Sequence, residues 1–441
     1  MNDKPNGNPH LRRSIGTTQL ALYALGSMIG SGIYGLIGKA AGQAGSAVWL
    51  SFLVALVAAL LTSLSYASLG SRYPRAGGAA YVTDRAFGIP LLSFTVGLAL
   101  VASGLTSIAT QSKIFAAIIA DFAGWGAVSP TAIAVGFLLI LSGVVFRGIR
   151  ESMWVNVVCT IMEVSGLLLV IGSGLSYWGS VDYFEIPPDR IDSGLAVVVV
   201  QASVLAFFAF IGFEDAVNVA EECREPERTI PRGLIIATVS AAVLYVAVSI
   251  TAVSVVPWQE LASAPSPLTA VMAKSAPSLP AGLMTFIALF SVANTALVNY
   301  VTASRLIYGM SGQGLLPSLL GRVHRTRQTP HIAIATLLGV LVLLAVAGEI
   351  ADLAAATVLL LLVIFVAVNA SLVVLKRRAG EPAGRFEIPV ALPMMGIAVC
   401  CGLLITRLTS SDWRAPLLAA LLLAGILGLY AILRMTKVSQ R

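Results

Sequence analysis

The chain has 441 residues, 57% of them hydrophobic and only 11% charged, with a mean hydropathy of +0.90 and a net charge of +7. A soluble fold of this length has no means of burying so much apolar surface, so the composition points to a polytopic membrane protein. Basic residues recur between apolar stretches instead of forming one patch, which argues against nucleic acid as a partner, and the four cysteines show neither a disulfide framework nor metal-ligand spacing.

Twelve apolar segments, each near the ~20 residues that a bilayer requires, follow in order: 15–41, 46–70, 88–119, 130–147, 153–177, 194–220, 231–256, 281–310, 331–348, 350–375, 388–407 and 414–434. The polar start MNDKPNGNPHLRRS lacks a cleavable signal pattern, so the first segment is expected to stay in the mature protein. With both termini placed inside, cytoplasmic segments carry 21 of the 28 lysines and arginines and outer segments 5, while Lys113 and Arg305 fall within spans. That bias supports the span count and the cytoplasmic termini together. The acidic outer loop Tyr177–Asp192 reads as a solvated loop, and the proline-rich loop 257–280 is expected to hold a short surface helix.

Two segments carry features that a plain membrane helix avoids. The first holds Gly26, Gly30, Gly32, Gly35 and Gly38, each costing ~1 kcal/mol in a helix interior. Gly26 and Gly30 fit close helix packing. Gly30-Ser31-Gly32 is denser than packing requires and suits an unwound turn whose free N–H groups face an anion such as a carboxylate. The sixth segment places Gly212 just before Glu214 and Asp215. A charge at mid-bilayer costs at least ~2.5–3.5 kcal/mol, so these acids are expected to face a functional cavity beside a break.

Helices 1 and 6 each open a set of five spans, and a broken pair there is what a five-plus-five inverted repeat predicts. The chain then divides into a cytoplasmic tail (1–14), a first repeat (15–177), a second (194–375), two added helices (388–434) and a second tail (435–441). In such an all-α architecture the substrate lies between the breaks, where N–H groups meet a carboxylate and exposed carbonyls meet an ammonium group. A zwitterionic amino acid matches both ends.

The segments GSMIGSGI (26–33), YPRAGGAAYV (73–82), RESMWVNVV (150–158), FFAFIGFEDAVNVAEE (207–222), PERTIPRG (226–233) and ASRLIYGMSGQGLLP (303–317) occur in this order. Together they resemble the amino acid–polyamine–organocation superfamily of permeases over nearly the whole chain. The resemblance implies secondary transport of amino acids or related amines on a twelve-helix fold with helices 1 and 6 broken. Carried over by position, it implies that Ile29, Gly30, Ser31, Gly32 and Ile33 bind the substrate carboxylate and help bind its amine. It implies that Phe208, Ala209, Phe210, Ile211 and Gly212 form the second break, with Phe208 and Phe210 lining or gating the pocket. Glu214 matches an acid that follows the break and links it to neighbouring spans.

Two positions depart from that pattern. Proton-coupled relatives carry a lysine in helix 5 where RESMWVNVVCTIME sets Glu163, so the charge is reversed and a lysine-based mechanism does not transfer. A buried carboxyl can itself take a proton; the alternatives are a Na⁺ ligand, an attractor of cationic substrates, or an acid that pins two helices. Asp215 adds a second acid directly after Glu214, and neighbouring helical residues diverge by ~100° unless the helix unwinds. One of the two is expected to be a structural link and the other a coupling or substrate group. Arg305 either snorkels to the cytoplasmic surface or forms an inner-gate ion pair with Glu221 or Glu222. Lys113 snorkels outward or pairs with Asp121.

No nucleophile–base set or metal cluster is visible, and His10, His324 and His331 have no catalytic company. The expectation is therefore a permease of the cell membrane, not an enzyme, without cofactor and with an amino acid or amine as substrate. H⁺ is the expected coupling ion, with exchange and Na⁺ coupling as alternatives and a non-transporting receptor or subunit as the rival outside transport.

Overall fold

The computed structural model describes residues 13–75, 78–122, 129–264, 266–280, 282–347, 350–408 and 414–439, and of some residues within its helices, Ser31 and Phe208 among them, the backbone alone. Helices dominate, and the described residues contain no strand beyond a single parallel bridge between Ile15 and Cys223. The first segment is two helices, α1 (Thr17–Met28) and α2 (Ser31–Ala44). After α3 (Val48–Arg72), the YPRAGGAAYV segment folds into α4 (Gly78–Phe87). α5 (Pro90–Phe122), α6 (Pro130–Arg147) and α7 (Ile149–Gly174) complete the first set.

The second set opens with α8 (Leu195–Phe208), which stops and resumes only as the single turn α9 (Asp215–Asn218). α10 (Pro226–Val255) starts on a proline, whose missing N–H is harmless in a first turn. Two short helices follow, α11 (Trp258–Ser263) and α12 (Pro267–Ser275). α13 (Gly282–Gly312), α14 (His331–Ala347) and α15 (Ile350–Arg377) complete the set, and α16 (Ala391–Leu408) and α17 (Arg414–Ser439) are appended.

Among the described residues, seven helical stretches are long and apolar enough to cross a membrane, and Leu195–Phe207, His331–Val346, Ala391–Ile405 and Ala419–Arg434 are shorter apolar helices. With the interrupted first segment added, they correspond to the twelve segments read from the sequence. Helices in equivalent places of the two sets pack on one another: α3 on α10, α5 on α13, α6 on α14. Large apolar side chains such as Ile140, Val243 and Leu343 face outward, as lipid contact requires.

The sixth segment breaks where expected: α8 ends at Phe208, and Gly212 turns the chain with φ +127° before α9. Two local expectations change. The acidic outer loop is packed down as well as solvated. The Trp49 indole donates to Tyr183 O at 3.0 Å, the Trp258 indole to Glu185 Oε1 at 3.3 Å, and Ala47 N–H to Glu185 O at 3.3 Å. Loop 257–280 forms two short helices instead of one, and Leu261 buries fully where α11 packs on α2. Cys159, Cys223 and Cys400 are free and buried, and no group of His, Cys, Asp and Glu among the described residues could hold a metal ion.

Candidate functional site

The two interruptions meet. Ile29 ends α1, its N–H still bonded to Leu25 O at 2.9 Å, and Gly30 redirects the chain into α2. A Cβ on Gly32 would stand 3.0 Å from Cα of Ala209, so the start of α2 touches the second break directly. In that second break the N–H groups of Ala209 and Phe210 bond back to Ala206 O and Phe207 O, at 3.1 and 3.0 Å, before the helical pattern is lost. Gly212 adopts a left-handed φ that side chains rarely tolerate, and a Cβ there would also lie 2.8 and 2.9 Å from C and O of Ser27 on α1. Only glycine meets both demands.

Ile29, Ile33, Ala209 and Phe210 are buried around this contact, and Ile211 is half-buried. The first N–H groups of α2 have no intrahelical acceptors, and the carbonyls of Met28 and Ala209 lie at the ends released from helical pairing. The junction thus presents donors for a carboxylate and acceptors for an ammonium group. The side chains of Ser31 and Phe208, both expected to take part, lie outside the described residues.

Glu163 sits on α7, fully buried, with Asn294 of α13, Tyr34 of α2 and Tyr245 of α10 around it. One and two turns before it, Thr160 and Asn156 join Asn294 of α13 in a polar cluster. Asn156 Nδ2 donates to Asn294 Oδ1 at 2.8 Å, Asn294 Nδ2 to Thr160 Oγ1 at 3.0 Å, and Thr160 Oγ1 to Leu22 O on α1 at 3.3 Å. A Cβ on Gly26 would overlap Thr160 and Asn294, so that glycine serves close packing. Tyr34 donates to the Glu163 carbonyl at 3.0 Å. Asn294 lies near the Glu163 carboxyl, but its Nδ2 is bonded to Thr160 and neither carboxyl oxygen has a partner within hydrogen-bond geometry.

Glu214 and Asp215 diverge. Glu214 turns back on its own break and accepts the Gly212 N–H at 2.9 Å. Asp215 accepts the Ser27 hydroxyl of α1 at 2.6 Å, with Thr302 of α13 adjoining it and bonded in turn to Tyr23 at 3.0 Å. The link to neighbouring spans is therefore made by Asp215, and Glu214 caps the break.

Further along, Arg305 does not snorkel. Its Nε and Nη2 reach Glu222 Oε2 and Oε1, both at 3.2 Å, and both side chains are fully buried. This is the bidentate geometry that binds guanidinium to carboxylate most tightly. The carbonyl of the same Glu222 accepts the N–H groups of Ser14 and Ile15 at 2.9 and 3.0 Å, and Arg224 N–H returns to Ile15 O at 3.0 Å. His10 and the side chain of Asp121 lie outside the described residues.

Sequence reasoning named Glu163, Glu214, Asp215 and Arg305 but not Asn156, Thr160, Asn294 or Thr302. A signal for the first two was present: Asn156, Thr160 and Glu163 recur at i, i+4 and i+7, one polar stripe on an apolar helix.

This arrangement is that of a membrane carrier built around two interrupted helices. The amino acid permease family model matches residues 15–426. The Branched-chain amino acid permease BcaP of Bacillus subtilis is 27% identical over 418 residues, covering 89% of this chain and 87% of that one. The Methylthioribose transporter of the same organism is 28% identical over 411 residues (88% and 87%). Cationic amino acid transporter 9, chloroplastic, of Arabidopsis thaliana is 30% identical over 336 residues, 72% of this chain but only 58% of that protein. The chain belongs to the amino acid permease family, within the amino acid–polyamine–organocation superfamily. It is a secondary amino acid transporter and not an enzyme.

Proposed function

We propose that the protein takes up a neutral, apolar amino acid across the cell membrane together with protons, by alternating access, with both termini in the cytoplasm. The substrate lies between Ile29–Ile33 and Phe208–Gly212. Its carboxylate meets the start of α2 and its ammonium meets the carbonyls of the two breaks. Ile29, Ile33 and Phe210 supply an apolar setting, and the nearby acids are committed elsewhere, Glu214 to Gly212 and Asp215 to Ser27. That favours a neutral substrate over a cationic one, in line with the name of the Bacillus relative BcaP.

The observation that carries proton coupling is the partnerless carboxyl of Glu163. A buried carboxylate without a counter-charge is costly in a low-dielectric interior, so Glu163 is placed to take up a proton in the closed site and release it when movement of the broken helices admits water. In proteoliposomes, Glu163→Gln abolishes uptake driven by an imposed pH gradient while counterflow partly persists. If uptake by the variant still follows the pH gradient, the role is wrong; if wild-type uptake follows a Na⁺ gradient instead, the cluster at Glu163 is a cation site. A thermal-shift screen tests the substrate class, and stronger stabilisation by arginine or a polyamine than by leucine, isoleucine or valine overturns it.

A further inference from the structure

Each break frees carbonyls from helical pairing, and one side chain gathers a carbonyl from each. In an unbroken helix Met28 O would accept from residue 32 and Ala209 O from residue 213. Here both point at Tyr245 on α10, whose hydroxyl lies 2.7 Å from Met28 O and 2.9 Å from Ala209 O. The side chain is fully buried, and its ring is fixed by Phe210 edge-to-face (centroids 5.1 Å apart) and by Phe52 (5.8 Å). A phenol has one proton, so it donates to one carbonyl at a time or shares between the two, and each carbonyl keeps a second lone pair. Those two lone pairs and the phenol oxygen form a cluster of acceptors with no donor of its own besides the tyrosine proton. An ammonium group, with three N–H donors and no acceptor, is the chemical complement of such a cluster.

We infer that Tyr245 is a positioning residue for the substrate's amine: it sets the spacing of the Met28 and Ala209 carbonyls at the point where the two broken helices receive the ammonium group. This rests on the reading of the breaks as the amino acid site. Tyr245→Phe keeps the ring and its packing and removes only the hydroxyl. Losing one well-placed hydrogen bond is worth about tenfold in affinity, and the loss should fall only on ligands that carry an amine.

The test is competition binding on purified protein with L-leucine, L-leucine methyl ester (amine kept, carboxylate masked) and 4-methylpentanoate (amine absent), or the arginine equivalents where leucine does not bind. Tyr245→Phe is expected to weaken the amino acid and the ester alike, by about tenfold, and to leave the amine-free acid within twofold. In proteoliposomes KM rises while the maximal rate is kept, and the melting temperature in detergent stays near wild type. Equal weakening of all three ligands with a lowered melting temperature makes Tyr245 a packing residue and overturns the inference. So does a variant that binds like wild type, and in that case the site itself stands. A wild-type protein that binds neither leucine nor arginine removes the site reading, and Tyr245's role falls with it.

Discussion

Arg305 shows what a single residue owes to its surroundings. In the sequence it is a basic residue about two turns from a helix end, where snorkelling to the surface is the ordinary outcome. The fold instead brings Glu222 to it, 83 positions away, and buries both side chains. The sequence narrowed the partner to Glu221 or Glu222 but could not choose, since adjacent residues point ~100° apart and the local path there is a 3₁₀ turn. Removing one member of a buried pair leaves the other charge uncompensated, at a cost of about 3–5 kcal/mol, whereas an apolar replacement of both is far milder. Arg305→Met should therefore lower the melting temperature in detergent more than the double variant Arg305→Met/Glu222→Met does. A double variant that melts below both single variants would show that the pair stabilises the fold in a way this argument omits.

At the level of elements, the interrupted helices were legible because their glycines are too many and too close for an ordinary span, and because an acid pair follows one of them. Their lengths were not legible. An apolar run continues past Phe208, and nothing in hydropathy distinguishes a helix from the extended turn that Gly212 imposes. Tyr245 was invisible for a related reason. In sequence it is one more aromatic in an apolar span, and its two acceptors exist only where chain breaks 217 and 36 positions away converge. Gly212→Ala places a side chain at a positive φ and against the backbone of Ser27. The variant should lose about 1–3 kcal/mol, seen as a lower melting temperature, together with most of its uptake. Normal uptake by that variant would mean that the second break does not need its present shape.

For the whole molecule, the apolar segments were readable from hydropathy and charge, whereas the ties between distant loops were not. The segment joining α15 to α16 lies against the ends of α3 and α4. Glu381 accepts from Tyr73 at 2.7 Å and from Arg85 at 3.2 Å, and Glu387 accepts from Arg72 at 2.6 Å and from Lys376. Burial pushes the Glu387 pKa up, but Arg72, Lys376 and the Gly384 N–H outweigh it and hold the carboxyl at about 2, against an ordinary 4.5. A depressed folded-state pKa contributes stability that is complete above the unfolded value and is lost as pH falls from there through the folded value. Between about pH 5 and pH 3 the wild type should lose melting temperature more steeply than Glu387→Gln, which has no charge to surrender. Parallel curves for the two proteins would place the acid sensitivity elsewhere.

Glu222 has a mechanical consequence. Its carboxylate grips α13 through Arg305, while its carbonyl holds the chain at Ser14 and Ile15 just before α1 begins. The entry of the first broken helix and the exit of the second are thus both tied to α13 through one residue. An opening toward the side where these ends lie should move both half-helices together. A pull on the backbone ahead of Ser14 is carried to Glu222, and through it to Arg305, by those hydrogen bonds.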